Sequence, residues 1–181
     1  MLVGCILFLV AGGWYVYNIL EDNNAGKQAE EILEQFEANQ EEAVIATEGN
    51  EFCGKILIEK LEIELPVYDK WDYTRLKTAP CRYSGGIDSD DIIIAAHNYK
   101  SHFGLLGELQ IGDEIKFTDV DGTWHCYEVC ELVILDGTAV SDIQSGRWDF
   151  TLFTCTKSGK QRITVRCERK DFVKNCSYYH Y

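Results

Sequence analysis

Phe150-Thr151-Leu152-Phe153-Thr154-Cys155, then Lys157-Ser158-Gly159-Lys160, then Arg162-Ile163-Thr164-Val165-Arg166-Cys167 is the stretch that decides how this chain folds. Two runs rich in β-branched and aromatic residues flank a polar turn, which predicts two neighbouring strands. A thiol closes the first strand and an arginine opens the second. Working outward, Asp91-Ile92-Ile93-Ile94-Ala95-Ala96 is a continuous apolar run of strand length, as a buried strand requires. Lys55–Ile58, Leu61–Tyr68, Glu114–Thr118 and Trp124–Val133 predict further strands, and Asp121-Gly122 marks a hairpin between the last two. Asp119-Val120-Asp121-Gly122 matches only a fragment of a calcium loop, so it is read as a turn. Many short, regularly spaced strands and few helices predict a mainly β fold closed, or nearly closed, into a barrel.

With 181 residues the chain has room for one domain and a short appendage. Its formal charge is −13, and the segment 21–51, with ten acids and the single base Lys27, carries −9 of it. The acidity therefore belongs mainly to a connecting arm. No basic footprint for nucleic acid exists. Eight cysteines include no pair of CxxC units, which argues against a zinc ribbon and predicts packed or disulfide-bonded thiols, Cys126 and Cys130 among them. No cofactor or metal is expected.

Residues 1–20 contain no charged side chain and are long enough to span a bilayer as a helix, with Trp14, Tyr15 and Tyr17 toward one end. A cleaved signal peptide is the rival reading, but it lacks a basic n-region and a clear cleavage site. The expectation is an anchor with the bulk of the chain outside the membrane. From Ala25 to about Thr47 the pattern is helical: Ala29, Ile32, Leu33 and Phe36 form one stripe, to which Ala43 and Val44 return before Gly49-Asn50. The other face is mostly Glu and Gln, as in a solvated stalk (residues 21–51) that packs a narrow stripe on the domain.

Cys155, at a strand end beside a polar turn, has the setting of a nucleophile facing a groove, provided a base or cation stabilises its thiolate. His180 lies in the tail, His125 within a strand and His102 in a polar loop. His97 directly follows the buried run and emerges at a strand end, a placement that matches Cys155. Arg162 begins the strand beside that of Cys155 and offers a charged fork for an oxyanion. Arg166, on the same face by alternation, and Arg169 compete with it.

Thr151-Leu152-Phe153-Thr154-Cys155 resembles the sortase signature Thr-Leu-x-Thr-Cys. Ala96-His97-Asn98 resembles that family's catalytic histidine site, and Arg162-Ile163-Thr164-Val165-Arg166 its Arg-hydrophobic-x-Val-Arg strand, in the family's order. The resemblance spans roughly residues 54–168. It implies a closed eight-stranded sortase-type barrel over residues 52–181, with His97, Cys155 and Arg162 as catalytic residues and Thr154 helping to shape the substrate groove. It implies attack on the Thr–Gly bond of an LPXTG-like sorting signal and transfer through a thioacyl enzyme to an amine, such as a peptidoglycan cross-bridge. Hydrolysis on the same scaffold and a non-catalytic surface β-domain are the alternatives. No Asp-Pro-aromatic lid motif precedes the barrel, and no long helical insertion separates His97 from Cys155, so a class D-like or otherwise unassigned general anchoring enzyme is expected. Asp88, Asp90 and Asp91 are read as a solvated turn rather than a calcium site.

Overall fold

The computed structural model describes residues 2–42, 51–144 and 148–170. The expected stripe positions Ala43 and Val44, the break at Gly49-Asn50 and the tail residue His180 lie outside the described residues. One helix, α1 (Leu2–Glu42), precedes eight strands: β1 (Phe52–Ile58), β2 (Ile63–Tyr68), β3 (Cys81–Ser84), β4 (Ile92–Ala95), β5 (Glu114–Asp119), β6 (Trp124–Asp136), β7 (Phe150–Cys155) and β8 (Gln161–Arg169). A single helical turn, α2 (Val140–Ile143), lies between β6 and β7.

The strands close into a barrel in the order β1-β2-β3-β4-β7-β8-β6-β5. Alternation along each strand sends one set of side chains inward, where Ile56, Ile94, Phe117, Tyr127, Phe150, Leu152 and Val165 form the main core. Phe150 stacks on Tyr127 at 4.3 Å between ring centroids. The opposite faces of β4 and β7 are covered as well: Ile93, Ala95 and Phe153 join Tyr68, Leu76, Cys81 and Ile143 in a second cluster outside the barrel. Burial on both faces is why Ile92–Ala95 reads as a continuous apolar run.

Several boundaries differ from the sequence expectation. Glu59–Leu61 forms a 3₁₀ turn, and Glu62 takes a left-handed backbone (φ 54°), so β2 starts at Ile63 rather than Leu61. β3 carries too little pattern to be read in advance. The Asp121-Gly122 turn is held by Asp119, whose Oδ1 accepts from the N–H groups of Asp121 and Thr123. Asp91 accepts from the Gly86 N–H and the Ser89 hydroxyl, and Asp90 pairs with Arg169, so the acidic loop is occupied by its own turn contacts.

α1 runs unbroken through the apolar stretch and the stalk. Val3, Leu7, Phe8, Leu9 and Trp14 are exposed, and this helix is long and apolar enough to cross a membrane. Farther along, Ala25, Ala29 and Phe36 are buried against the barrel; Phe36 meets Phe52 edge-on at 5.9 Å, and Lys55 bridges Glu37 of α1 and Glu64 of β2.

Candidate active site

The topology gathers the three sequence candidates. β4 and β7 run parallel, Ala95 opposite Phe153, so both strands end on the same side of the barrel. The Ala96 N–H donates to the Phe153 carbonyl at 3.2 Å and the Thr154 hydroxyl to the Ala96 carbonyl at 2.8 Å, which carries the pairing past the strand end. One further step sets His97 level with Cys155. β8 returns antiparallel through the turn, so its start lies at the same end, with Arg162 directly opposite Cys155. Neighbouring strands lie about 4.8 Å apart. Alternation puts Cys155 on the outer face with Phe153, and Arg162 with Thr164 and Arg166, while Leu152 and Val165 point inward. His97, Cys155 and Arg162 thus form one row across three strands, with Ala95, Phe153 and Thr164 in the next row.

Thr154 is 1% exposed, and its hydroxyl donates to the Ala96 carbonyl, tying β7 to the chain just beyond β4 and so helping to set the level of His97 against Cys155.

The arginines separate by their partners. Arg166 binds Glu131 at 2.6 Å, donates to the Asp142 carbonyl and lies over the Trp148 ring. Arg169 pairs with Asp90 and donates to the Tyr127 hydroxyl and the Ile87 carbonyl. Arg162 donates through Nη1 to the carbonyls of Gly159 and Gln161, and among the described residues its Nε and Nη2 have no hydrogen-bond partner. Of the three it alone faces Cys155 with donors to spare.

The His97 ring lies between Tyr73 and Tyr99, at 6.1 and 5.1 Å between centroids, and its buried Nε2 has no hydrogen-bond partner. Neither tyrosine was singled out in the sequence; Tyr99, two residues after His97, was the legible one. Burial, helped by the Lys77 ammonium, lowers the pKa of His97 below the ordinary histidine value, against the opposing pull of Glu21. Cys155 is a half-buried free thiol at the end of its strand. Among the other described thiols, burial works against the thiolate: it pushes Cys53 up to about 12 and Cys81 to about 11, and raises Cys130 and Cys167 as well. Cys126 is disulfide-bonded. Among the described residues no cluster of His, Cys, Asp and Glu has the makings of a metal site.

His102 lies fully buried under the His97 loop. Its ring nitrogens have no well-formed hydrogen bond, and burial pushes its pKa down to about 4, offset only in part by the nearby backbone of Ala25 and Thr78. Above pH 6.5 the ring is neutral in both folded and unfolded chains. Between 6.5 and 4 the unfolded chain takes up a proton that the folded state refuses, so stability falls as pH falls. The expected loss is about 3 kcal/mol by pH 4, read as the difference in pH dependence of chemical denaturation between wild type and His102→Asn.

A sequence model of the Sortase domain family matches residues 56–170, well over half of the chain. The chain belongs to the sortase family. It is therefore a cysteine transpeptidase by family; sortases are membrane-anchored, and α1 is long and apolar enough to cross a membrane. Solved structures agree. Sortase C1 from Streptococcus suis is 26% identical, with a TM-score of 0.59, over 68% of this chain and 75% of that one. A sortase D5 transpeptidase from Clostridium perfringens shares the fold at 23% identity and a TM-score of 0.61, covering 80% of this chain and 97% of that one. Sortase C-1 from Actinomyces oris shares it at 21% identity and a TM-score of 0.58, over 68% and 76% of the two chains. No curated protein matches this sortase.

Proposed function

We propose that this sortase cleaves an LPXTG-like sorting signal at its Thr–Gly bond and passes the acyl part to an amine, such as a peptidoglycan cross-bridge, outside the membrane. Cys155 yields its proton to His97, and its sulfur attacks the threonine carbonyl carbon. The C–N bond breaks, and the leaving amine takes the proton from His97. The resulting thioester keeps the acyl group activated. An incoming amine attacks it, loses a proton to His97, and the Cys155 thiol leaves with that proton. Arg162 donates to the carbonyl oxygen as negative charge gathers there.

What supports this reading is the register: Cys155 lies directly opposite Arg162, and the β4–β7 pairing, continued two residues past Ala95, brings His97 to the level of Cys155. A thiol, an imidazole with an unpartnered nitrogen and a guanidinium with spare donors are what acyl transfer through sulfur needs. The test is intact-mass analysis after mixing the protein with peptides of the form Leu-Pro-X-Thr-Gly and an amine. A thioester adduct on Cys155 and an amine-capped product support the reading. Water-capped product alone, despite abundant amine, replaces it with hydrolysis, and no adduct with any peptide defeats it.

Arg162→Ala should cut kcat/KM by roughly 10²- to 10³-fold, as loss of an oxyanion donor does, with little change in melting temperature. Arg166→Ala should instead lower the melting temperature, because it removes a largely buried side chain together with its bonds to Glu131 and the Asp142 carbonyl and its packing over the Trp148 ring.

A further inference from the structure

We propose that the first turn of α1 beyond its apolar stretch, centred on Asp22, is a positioning element for His97. The inference rests on the reading of His97 as the acid–base group of the transfer.

β4 fixes the backbone of His97, but its ring has only walls to hold it. Nε2 is buried without a partner, and the ring is flanked by Tyr73 and Tyr99. Tyr73 is 63% exposed and itself loosely held. Tyr99 is the firmer wall, and α1 holds it. Its hydroxyl donates to Glu21 at 3.2 Å. Two residues on, Ser101 donates to Asp22 Oδ1 twice, from its N–H at 3.0 Å and from its hydroxyl at 2.7 Å, and the hydroxyl also lies 3.0 Å from the Asp22 carbonyl. Bonds to a carboxylate are stronger than those between neutral groups.

The helix can come this close because residue 26 is glycine: a Cβ there would lie 3.0 Å from the Ser101 Cβ. Ala25, next to it, is buried above His102. Glu21, Asp22, Ala25 and Gly26 share one face of the helix by their spacing and meet Tyr99, Ser101 and His102 together.

The loop transmits this grip. The Phe103 N–H donates to the His97 carbonyl, and the N–H groups of His102 and Gly104 both donate to the Tyr99 carbonyl, which makes His97–Gly104 one compact turn. Gly104 is required there, since a Cβ would come within 2.6 Å of the carbonyls of Asn98 and Tyr99. A shift of Ser101 therefore moves Tyr99, and with it the wall of the imidazole slot. None of the α1 residues touches the reacting atoms; Asp22 acts through the loop.

The test uses the full chain in detergent micelles, with a Leu-Pro-X-Thr-Gly peptide and an amine, and reads kcat, KM and melting temperature for Asp22→Ala and Asp22→Asn. Asp22→Ala loses both Ser101 bonds and should lower kcat by about tenfold, the weight of a lost charged hydrogen bond, with KM for the peptide within about twofold of wild type. Asp22→Asn keeps an oxygen acceptor and should recover kcat to within about threefold of wild type. An Asp22→Ala enzyme with wild-type kcat overturns the inference. So does a kcat loss that Asp22→Asn fails to recover, or one matched by a collapse in melting temperature, either of which would make Asp22 a fold-stabilising residue only. A wild-type enzyme that forms no thioester overturns the functional reading first, and this inference with it.

Discussion

Cys155→Ala is expected to abolish both the peptide adduct and the transferred product, a loss of at least about 10⁴-fold, because among the described residues no other thiol lies opposite Arg162 at the level of His97. Cys81 and Cys167 are fully buried, burial raises the pKa of the half-buried Cys53 and Cys130, and none of the four faces His97 and Arg162 across the sheet. Cys53→Ala and Cys130→Ala should therefore leave turnover within about twofold of wild type. Cys155→Ala should also keep its melting temperature, since the thiol is half-buried at the strand end and contributes little to either core cluster. Intact-mass spectrometry with peptide present, together with thermal unfolding, checks both halves. An adduct surviving in Cys155→Ala would place the chemistry elsewhere.

His97→Ala should lower kcat by about 10²- to 10⁴-fold, the usual worth of a positioned acid–base group, with the thiol still open to small alkylating reagents. The surroundings of His97 give this prediction a pH signature. Burial and then Lys77 depress its pKa, while Glu21 opposes them. A depressed pKa means the imidazole becomes protonated only as pH falls below the ordinary value, so the limb of the rate profile that reports His97 lies on the acid side of 6.5. Lys77→Met removes a repelling cation, raises that pKa and moves the limb to higher pH. Glu21→Gln does the opposite. Rate profiles of kcat/KM for the three proteins check the signs, and a limb unmoved by either substitution would detach it from His97.

What was legible in the sequence followed from local pattern. The apolar run Ile92–Ala95 announces a buried strand because both its faces are covered, and Cys155 and Arg162 announce a hairpin because a polar turn separates two β-rich runs. His97 could be singled out from its place after the run. Its level with Cys155 could not, because that depends on the parallel β4–β7 pairing across more than fifty residues of intervening chain. β3 escaped notice for a related reason: four residues between Pro80 and Gly85, meeting β2 at a single pair, carry no period of their own. Alternation puts Arg166 on the same face as Arg162; what distinguishes them is Glu131, distant in sequence, which pairs with Arg166. The inward turn of Thr154 follows from the phase of β7, which only the packed core fixes.

The continuity of α1 has a bearing on where this enzyme can work. The helix passes from its uncharged run to the grip on Ser101 without a break, and only one residue separates Leu20 from Asp22. At 1.5 Å per residue that is about 3 Å of rise, less than one helical turn. Were the apolar run seated in a bilayer, the His97–Gly104 loop would not be on a long leash that sweeps a volume; it would ride at the level of the lipid headgroups. A substrate carried in the same membrane would meet it by sliding in a sheet, whereas a released one would first have to find its way back down to it.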